Sequence, residues 1–201
     1  MAKLILLRHG QSSWNLENRF TGWVDVPLSP RGEEEAREAG FKLKGFRIDV
    51  AYTSVLTRAI ETLRIATEAA GLTSVPTLRD PALNERMYGD LQGLNKAETA
   101  ARFGDEQVHL WRRSYEVAPP AGESLRDTAM RTLPYFRSHI LTAVKNGKNA
   151  IVVAHGNSLR ALVMDLERMT GAEIAQYEIA TGIPFVYDLD HDGKLLQKTT
   201  L

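Results

Sequence analysis

Leu4–Leu7 and Ala150–Ala154 are unbroken apolar runs, and they restrict the fold of this 201-residue chain more than any other feature. A strand with one face in water alternates apolar and polar residues. A strand without alternation must be covered on both faces. Val50–Tyr52 is a further short strand and Phe185–Leu189 a fourth, and stretches with helical spacing lie between them. Strand–helix alternation of this kind gives a mostly parallel sheet with helices on both sides. The expected class is α/β, a three-layer α/β/α sandwich, with residues 1–201 as one domain of ordinary size.

Local signals support this reading. Ser29-Pro30 opens a helix, with proline at its first position and Glu33–Glu35 near the positive end of the dipole; Gly45 is its stop. Ser54 is the candidate cap of a helix bearing Leu56, Ile60 and Leu63 on one face and ending at Gly71. Ser124 starts another, with Leu125, Leu133, Phe136, Ile140 and Val144 as its buried stripe; Pro134 within it predicts a kink or a later start. Leu159, Leu162, Val163 and Leu166 mark the helix after Ala150–Ala154, and Asp190–Gly193 turns into a last edge strand. From Pro81 to Pro120 the chain is polar and rich in Gly, Pro, Arg and Trp, as expected of an excursion over the sheet.

Composition removes several classes of function. Basic and acidic side chains number 25 each, so no global field favours nucleic acid or an anionic membrane. An anionic ligand must be held by a local cluster of cations. The chain has no cysteine, which excludes disulfides, thiolate nucleophiles and zinc–thiolate sites. The N-terminal apolar run is too short for a signal-peptide core, and no stretch approaches a membrane span; a cytoplasmic protein is expected.

Two segments echo each other. Leu6-Leu7-Arg8-His9-Gly10-Gln11-Ser12 and Val152-Val153-Ala154-His155-Gly156-Asn157-Ser158 each place a histidine where a buried strand gives way to glycine. Ligands of parallel sheets sit beyond the carboxyl ends of the strands. If the two strands are neighbours, the imidazoles face one another across that crevice. A histidine pair also suits a metal, but Arg8 beside it and the lack of an adjoining acid argue for an anion, with no metal. A serine hydrolase fits poorly, because Arg160 stands where a nucleophile elbow needs glycine. Two buried structural histidines are the plainer alternative; the matched contexts weigh against it. His109, His139 and His191 follow no buried strand and carry no functional expectation.

Arginines supply the cation. Arg8 precedes His9, Arg58 lies in the first turns of a helix, and Arg112 and Arg113 form a pair between Trp111 and Tyr115. Guanidinium forks match phosphate oxygens. A neutral imidazole flanked by such forks suits in-line attack on phosphorus, and Glu85 is a candidate carboxyl to protonate the departing oxygen.

Arg8-His9-Gly10 resembles the signature of the histidine phosphatase superfamily. The blocks Arg8–Asn15, Asn18–Trp23, Leu83–Arg86, Gly93–Lys96, Trp111–Arg113 and Ala154–Leu162 are similar to the 2,3-bisphosphoglycerate-dependent phosphoglycerate mutases within it. The resemblance implies a phosphoglycerate mutase-like fold and interconversion of 3- and 2-phosphoglycerate without metal, through a phosphohistidine at His9 primed by 2,3-bisphosphoglycerate. It implies Glu85 as general acid/base, and Arg8, Arg58 and His155 around the phosphoryl group with Asn15, Gly156 and Asn157. Thr21, Gly22, Tyr88, Lys96, Arg112 and Arg113 are implied to hold the carboxylate and second phosphate. Homo-oligomers occur among such proteins, and no stripe here declares an interface. Gln11 and Met87 depart from the commoner glutamate and histidine. The connection Pro119–Gly122 is short and the chain stops at Leu201, so the expected lid is smaller than in longer members and hydrolysis of the phosphohistidine is expected to compete more. A phosphomonoesterase of the same superfamily and a non-catalytic phosphate-binding protein are the alternatives.

Overall fold

The two unbroken apolar runs become neighbouring strands at the centre of one sheet. The computed structural model describes every residue except Thr73. Strands β1 (Ala2–Arg8), β2 (Val50–Thr53), β3 (Thr77–Arg79), β4 (Ala150–Ala154), β5 (Pro184–Leu189) and β6 (Leu195–Thr200) lie in the order β3-β2-β4-β1-β5-β6. From β3 to β1 all pairings are parallel; β5 is antiparallel to both β1 and β6. Leu4 stands opposite Ala150 and Arg8 opposite Ala154, so β1 and β4 end level. Strand β3 escapes a reading by apolar pattern because all three of its residues are exposed.

The helices are α1 (Ser13–Leu16), α2 (Pro30–Lys42), α3 (Thr57–Ala69), α4 (Lys96–Phe103), α5 (Asp105–Arg113), α6 (Leu125–Tyr135), α7 (Leu141–Lys145), α8 (Gly156–Glu167) and α9 (Gly171–Gln176). Alternate residues of the central strands face opposite sides. Leu4, Leu6, Tyr52 and Val152 pack against Leu125, Phe136, Ile140 and Val144, and against Leu159, Leu162 and Val163 of α8. Ile5, Leu7, Ala51, Ile151 and Val153 pack against Ala39, Leu43, Leu63 and Ala66 on the side of α2 and α3. Three layers result, each buried aliphatic side chain stabilising them by roughly 1.5–3 kcal/mol before entropy is counted.

Ser29 caps α2 as expected, accepting from the Gly32 amide at 3.1 Å, with Pro30 at the first position. Gly32 then meets the loop that follows β1. A Cβ on Gly10 would lie 2.1 Å from the Gly32 carbonyl oxygen, and one on Gly32 would lie 2.0 Å from that of Gln11. Only a pair of glycines lets the first turn of α2 rest on the backbone beside His9.

Two local expectations change. Ser54 does not cap α3, which starts at Thr57; the Thr57 amide donates instead to Asp25, 2.8 Å away. Pro134 does not delay its helix, which starts at Leu125. Beyond Tyr135 the chain continues through a π-helical turn at Phe136–Ile140, with Phe136, Ile140 and Val144 in the core. Among the described residues, no helix is long and apolar enough to cross a membrane.

Candidate active site

Beyond the level ends of β1 and β4, the two histidines meet. Their ring centroids are 4.9 Å apart and the planes are tilted by 58°. The His9 amide donates to the Ala154 carbonyl at 3.0 Å, which carries the strand pairing one step into the loop. His9 Nδ1 lies 2.7 Å from the Gly10 carbonyl. A carbonyl only accepts, so Nδ1 holds the proton and Nε2 keeps its lone pair. Thr62 Oγ1 accepts from the Gly10 amide (3.1 Å) and donates to the Arg58 carbonyl (2.7 Å), tying this peptide to α3.

His155 is oriented by Ser54. The Leu56 amide donates to Ser54 Oγ at 3.2 Å, and the hydroxyl lies 2.8 Å from His155 Nε2. With the hydroxyl donating, Nε2 accepts and the proton sits on Nδ1, which is buried without a partner. Burial lowers the pKa of both imidazoles well below the ordinary value, and the charge of Arg58 lowers it further. Both rings are neutral at pH 7.

Arg58 is almost wholly buried near the positive end of α3 and donates to the carbonyls of Gly22 (2.7 Å) and Val24 (3.1 Å). Burial lowers its pKa to about 10, with the charges of Glu85 and Asp25 acting the other way, so it stays cationic. Arg8 donates through Nη1 to the Ile179 carbonyl at 2.7 Å, while its Nε is buried and unpaired.

Glu85 reaches the same crevice from the excursion. Its Oε1 accepts from the Asn157 amide (3.0 Å), Asn157 Nδ2 (2.9 Å) and the Arg86 amide (2.8 Å). Among the described residues its Oε2 has no hydrogen-bond donor. A Cβ on Gly156 would stand 3.6 Å from the Arg8 guanidinium and 3.7 Å from Glu85 Oε2. The first residue of α8 therefore faces the space between them, at the positive end of a helix dipole.

That space is a cavity of about 190 Å³. Arg8, His9, Arg58, Glu85, Gly156 and Asn157 form its floor; Asn15, Thr21, Gly22, Tyr88, Lys96, Arg112 and Arg113 complete the wall. Every site residue expected from sequence lines it except His155, which is wholly buried against His9. Asn15 uses its Oδ1 to accept from the Ser12 amide (3.1 Å), leaving its amide nitrogen to donate. Lys96 begins α4, and burial lowers its pKa. The Arg112 carbonyl accepts from Arg86 at 2.6 Å, and Arg113 pairs with Glu178. Gln11 and Met87 lie outside the wall; Gln11 Oε1 accepts from Ser29, the cap of α2.

Sequence reasoning missed Arg19, Phe20, Arg160, Tyr177, Glu178 and Ile179, which also line the cavity. Arg160 had a signal: it stands one turn beyond Asn157, to whose Oδ1 it donates at 3.0 Å. The segment Tyr177–Ile179 carries none, because only the tertiary fold brings it over Arg8.

Among the described residues, the buried side-chain polar atoms without partners belong to Arg8, Thr21, Arg86 and His155. Each can donate, and an unsatisfied buried donor costs about 1–3 kcal/mol. Of these, Arg8 and Thr21 line the cavity, and together with its other cations they fit an anion with several oxygens.

Known proteins agree with this chemistry. Residues 4–200 match the histidine phosphatase superfamily (branch 1). The chain belongs to that superfamily. A relative from Azorhizobium caulinodans named 2,3-bisphosphoglycerate-dependent phosphoglycerate mutase is 56% identical over 97% of this chain and 96% of its own length. A Schizosaccharomyces pombe relative named phosphoglycerate mutase is 52% identical over 97% of this chain and 93% of its own. Among solved structures, Bacillus stearothermophilus YhfR matches with a TM-score of 0.85 at 26% identity, covering 98% of this chain and 95% of that one. A mycobacterial glucosyl-3-phosphoglycerate phosphatase in complex with VO3 matches with a TM-score of 0.84 at 26% identity, covering 100% and 97%.

Proposed function

We propose that this chain interconverts 3-phosphoglycerate and 2-phosphoglycerate through a phosphohistidine on His9, primed by 2,3-bisphosphoglycerate. The observation that carries the reading is His9 with a free Nε2 in the wall of a cavity that Arg8 and Thr21, both with unpartnered buried donors, also line, and with His155 packed against its ring. The two named relatives, above 50% identity over nearly the whole chain, select the mutase over other phosphoryl transfers.

His9 Nε2 attacks phosphorus as the bond from phosphorus to the substrate oxygen breaks. Glu85 Oε2 hands that oxygen a proton and recovers it from the incoming hydroxyl in the reverse transfer. Arg8, Arg58, the His155 Nδ1–H and the Gly156 amide neutralise the equatorial oxygens, where positioning and electrostatics supply most of the rate. Asn157 donates to Glu85 from its backbone amide and its Nδ2, so its part is to hold that carboxyl. Lys96, Arg112 and Arg113 take the substrate's carboxylate and second phosphate. Bisphosphoglycerate suits a wall in which Arg8, Arg58, Lys96, Arg112, Arg113 and Arg160 outnumber Glu85 and Glu178. The substrates place the enzyme in glycolysis and gluconeogenesis, in the cytoplasm.

A phosphomonoesterase is the second reading, since the mycobacterial phosphatase shares the fold at 26% identity. Incubation with labelled bisphosphoglycerate separates the two readings. The mutase leaves acid-labile, base-stable phosphate on His9 and converts one phosphoglycerate into the other faster than it releases inorganic phosphate. Phosphate release without isomerisation excludes it.

A further inference from the structure

Glu85 sits on irregular chain, between a single 3-10 turn ending at Leu83 and another beginning at Gly89. No ladder of its own holds its main chain. Arg131 of α6 takes that place. Its Nη1 donates to the carbonyls of Ala82 (2.9 Å) and Asn84 (3.1 Å), and its Nη2 to the carbonyl of Glu85 itself (2.8 Å). Its remaining edge is gripped by Glu123, Nε to Oε1 and Nη2 to Oε2, both at 2.9 Å. Glu123 Oε2 also accepts from the Met87 amide (3.0 Å), and the Glu123 amide donates to the Met87 carbonyl (2.8 Å). Trp23 Nε1 donates to the Glu85 carbonyl at 2.6 Å, with the guanidinium 5.3 Å from the ring centroid. Neither Arg131 nor Glu123 lines the cavity.

The pair is built to hold. Both side chains are only about one-fifth exposed, at 21% and 20%, so water screens them weakly. Burial pushes the Glu123 carboxyl up, but the hydrogen bonds from Arg131 and the Met87 amide outweigh it and keep the group charged. Carbonyls before Glu85 and the peptide after it are thus fixed by one ion pair.

We infer that Arg131 and Glu123 are positioning residues for proton transfer by Glu85. They clamp the main chain on both sides of it, so that Oε2 meets the bridging oxygen while Oε1 rests on Asn157. A displacement near 1 Å at such a group costs on the order of a hundredfold in rate. The inference rests on the reading of Glu85 as the acid/base.

Two phosphoryl donors test it. Bisphosphoglycerate loses an alkoxide, which needs a proton; acetyl phosphate loses a carboxylate, which does not. Single-turnover phosphorylation of His9 by each donor is measured in E85Q, R131M, R131K, E123Q and the E85Q/R131M double variant. E85Q is expected to slow the bisphosphoglycerate reaction about a hundredfold or more and the acetyl phosphate reaction little. R131M and E123Q are expected to show the same selectivity, roughly tenfold to a hundredfold, with R131K intermediate. In the E85Q background R131M is expected to add almost nothing. Equal losses with both donors in R131M and E123Q, or full additivity in the double variant, overturn the inference. If R131M does not fold, E123Q and R131K give the same ratio. An unselective E85Q instead overturns the acid/base reading itself, and a selective E85Q beside an unselective E123Q overturns the positioning alone.

Discussion

Asn157 donates from its backbone amide and from Nδ2 to the same oxygen of Glu85, Oε1. The other carboxylate oxygen is thereby turned toward the gap beside Arg8 and His9. Replacing Asn157 with Asp removes one donor and sets a second carboxylate against the first. We expect kcat to fall by about a hundredfold with a much smaller change in KM, as when a transition-state contact is lost. Steady-state kinetics of Asn157→Asp check this; a pure KM effect contradicts it.

The nucleophile can be tested directly. His9→Ala is expected to abolish phosphohistidine formation and to lower mutase turnover by at least about 10⁴-fold. Intact mass after incubation with bisphosphoglycerate reads the first, and a coupled assay the second. Retained phosphorylation reassigns the nucleophile.

Burial first, and the charge of Arg58 next, hold His9 well below its ordinary pKa of 6.5. A lowered imidazole pKa keeps the ring neutral, and so nucleophilic, as pH falls through that value. The acid limb of kcat/KM for phosphorylation is therefore expected below pH 6.5, once corrected for the substrate's own ionisation near pH 6. A limb centred at or above 6.5 shows that His9 is not shielded.

Two glycines should fail in different ways. At Gly32 a Cβ meets the Gln11 carbonyl oxygen at 2.0 Å, backbone against backbone. Gly32→Ala is expected to cost about 3 kcal/mol in urea unfolding. At Gly156 the nearest atoms are 3.6 Å away, in ordinary contact, but they belong to Arg8 and lie across the cavity. Gly156→Ala is expected to keep stability within about 1 kcal/mol and to raise the inhibition constant of inorganic phosphate or vanadate about tenfold or more.

Glu178 occupies the guanidinium of Arg113, and the pair is largely open to water, with exposures of 69% and 27%. Glu178→Gln is expected to lower KM for phosphoglycerate two- to fivefold, the worth of an exposed ion pair. An unchanged KM shows that Arg113 does not meet the substrate.

The histidine pair was legible because its residues stand where strands end. Arg8, His9, His155 and Gly156 follow apolar runs whose burial on both faces the lack of alternation demanded, and the structure makes those runs neighbours. Asn15, Thr21, Gly22, Tyr88 and Lys96 came from the resemblance alone. Glu85 was different: the chemistry made it a candidate proton donor, but as one acid in a polar excursion it had no distinguishing spacing, and its role came from the resemblance. Ser54 was misread for a physical reason. A serine before a helix is usually its cap, but here the hydroxyl serves His155, and Asp25 supplies the cap from a distant loop. Arg131 was illegible altogether, since its meaning lies in carbonyls 46 to 49 residues earlier in the chain. The short connection at Pro119–Gly122 is not peculiar to this chain. The Azorhizobium relative aligns over 96% of its length, which leaves no room for a long insertion.

The placement of β1 has a consequence for synthesis. Its partners are β4 and β5, and neither exists until residue 150 and beyond have been made. At roughly 5–20 residues per second, this apolar strand waits on the order of ten seconds with both edges bare. His9 is made long before the strand end that faces it. Turnover in a population of newly made chains therefore reports completed folding.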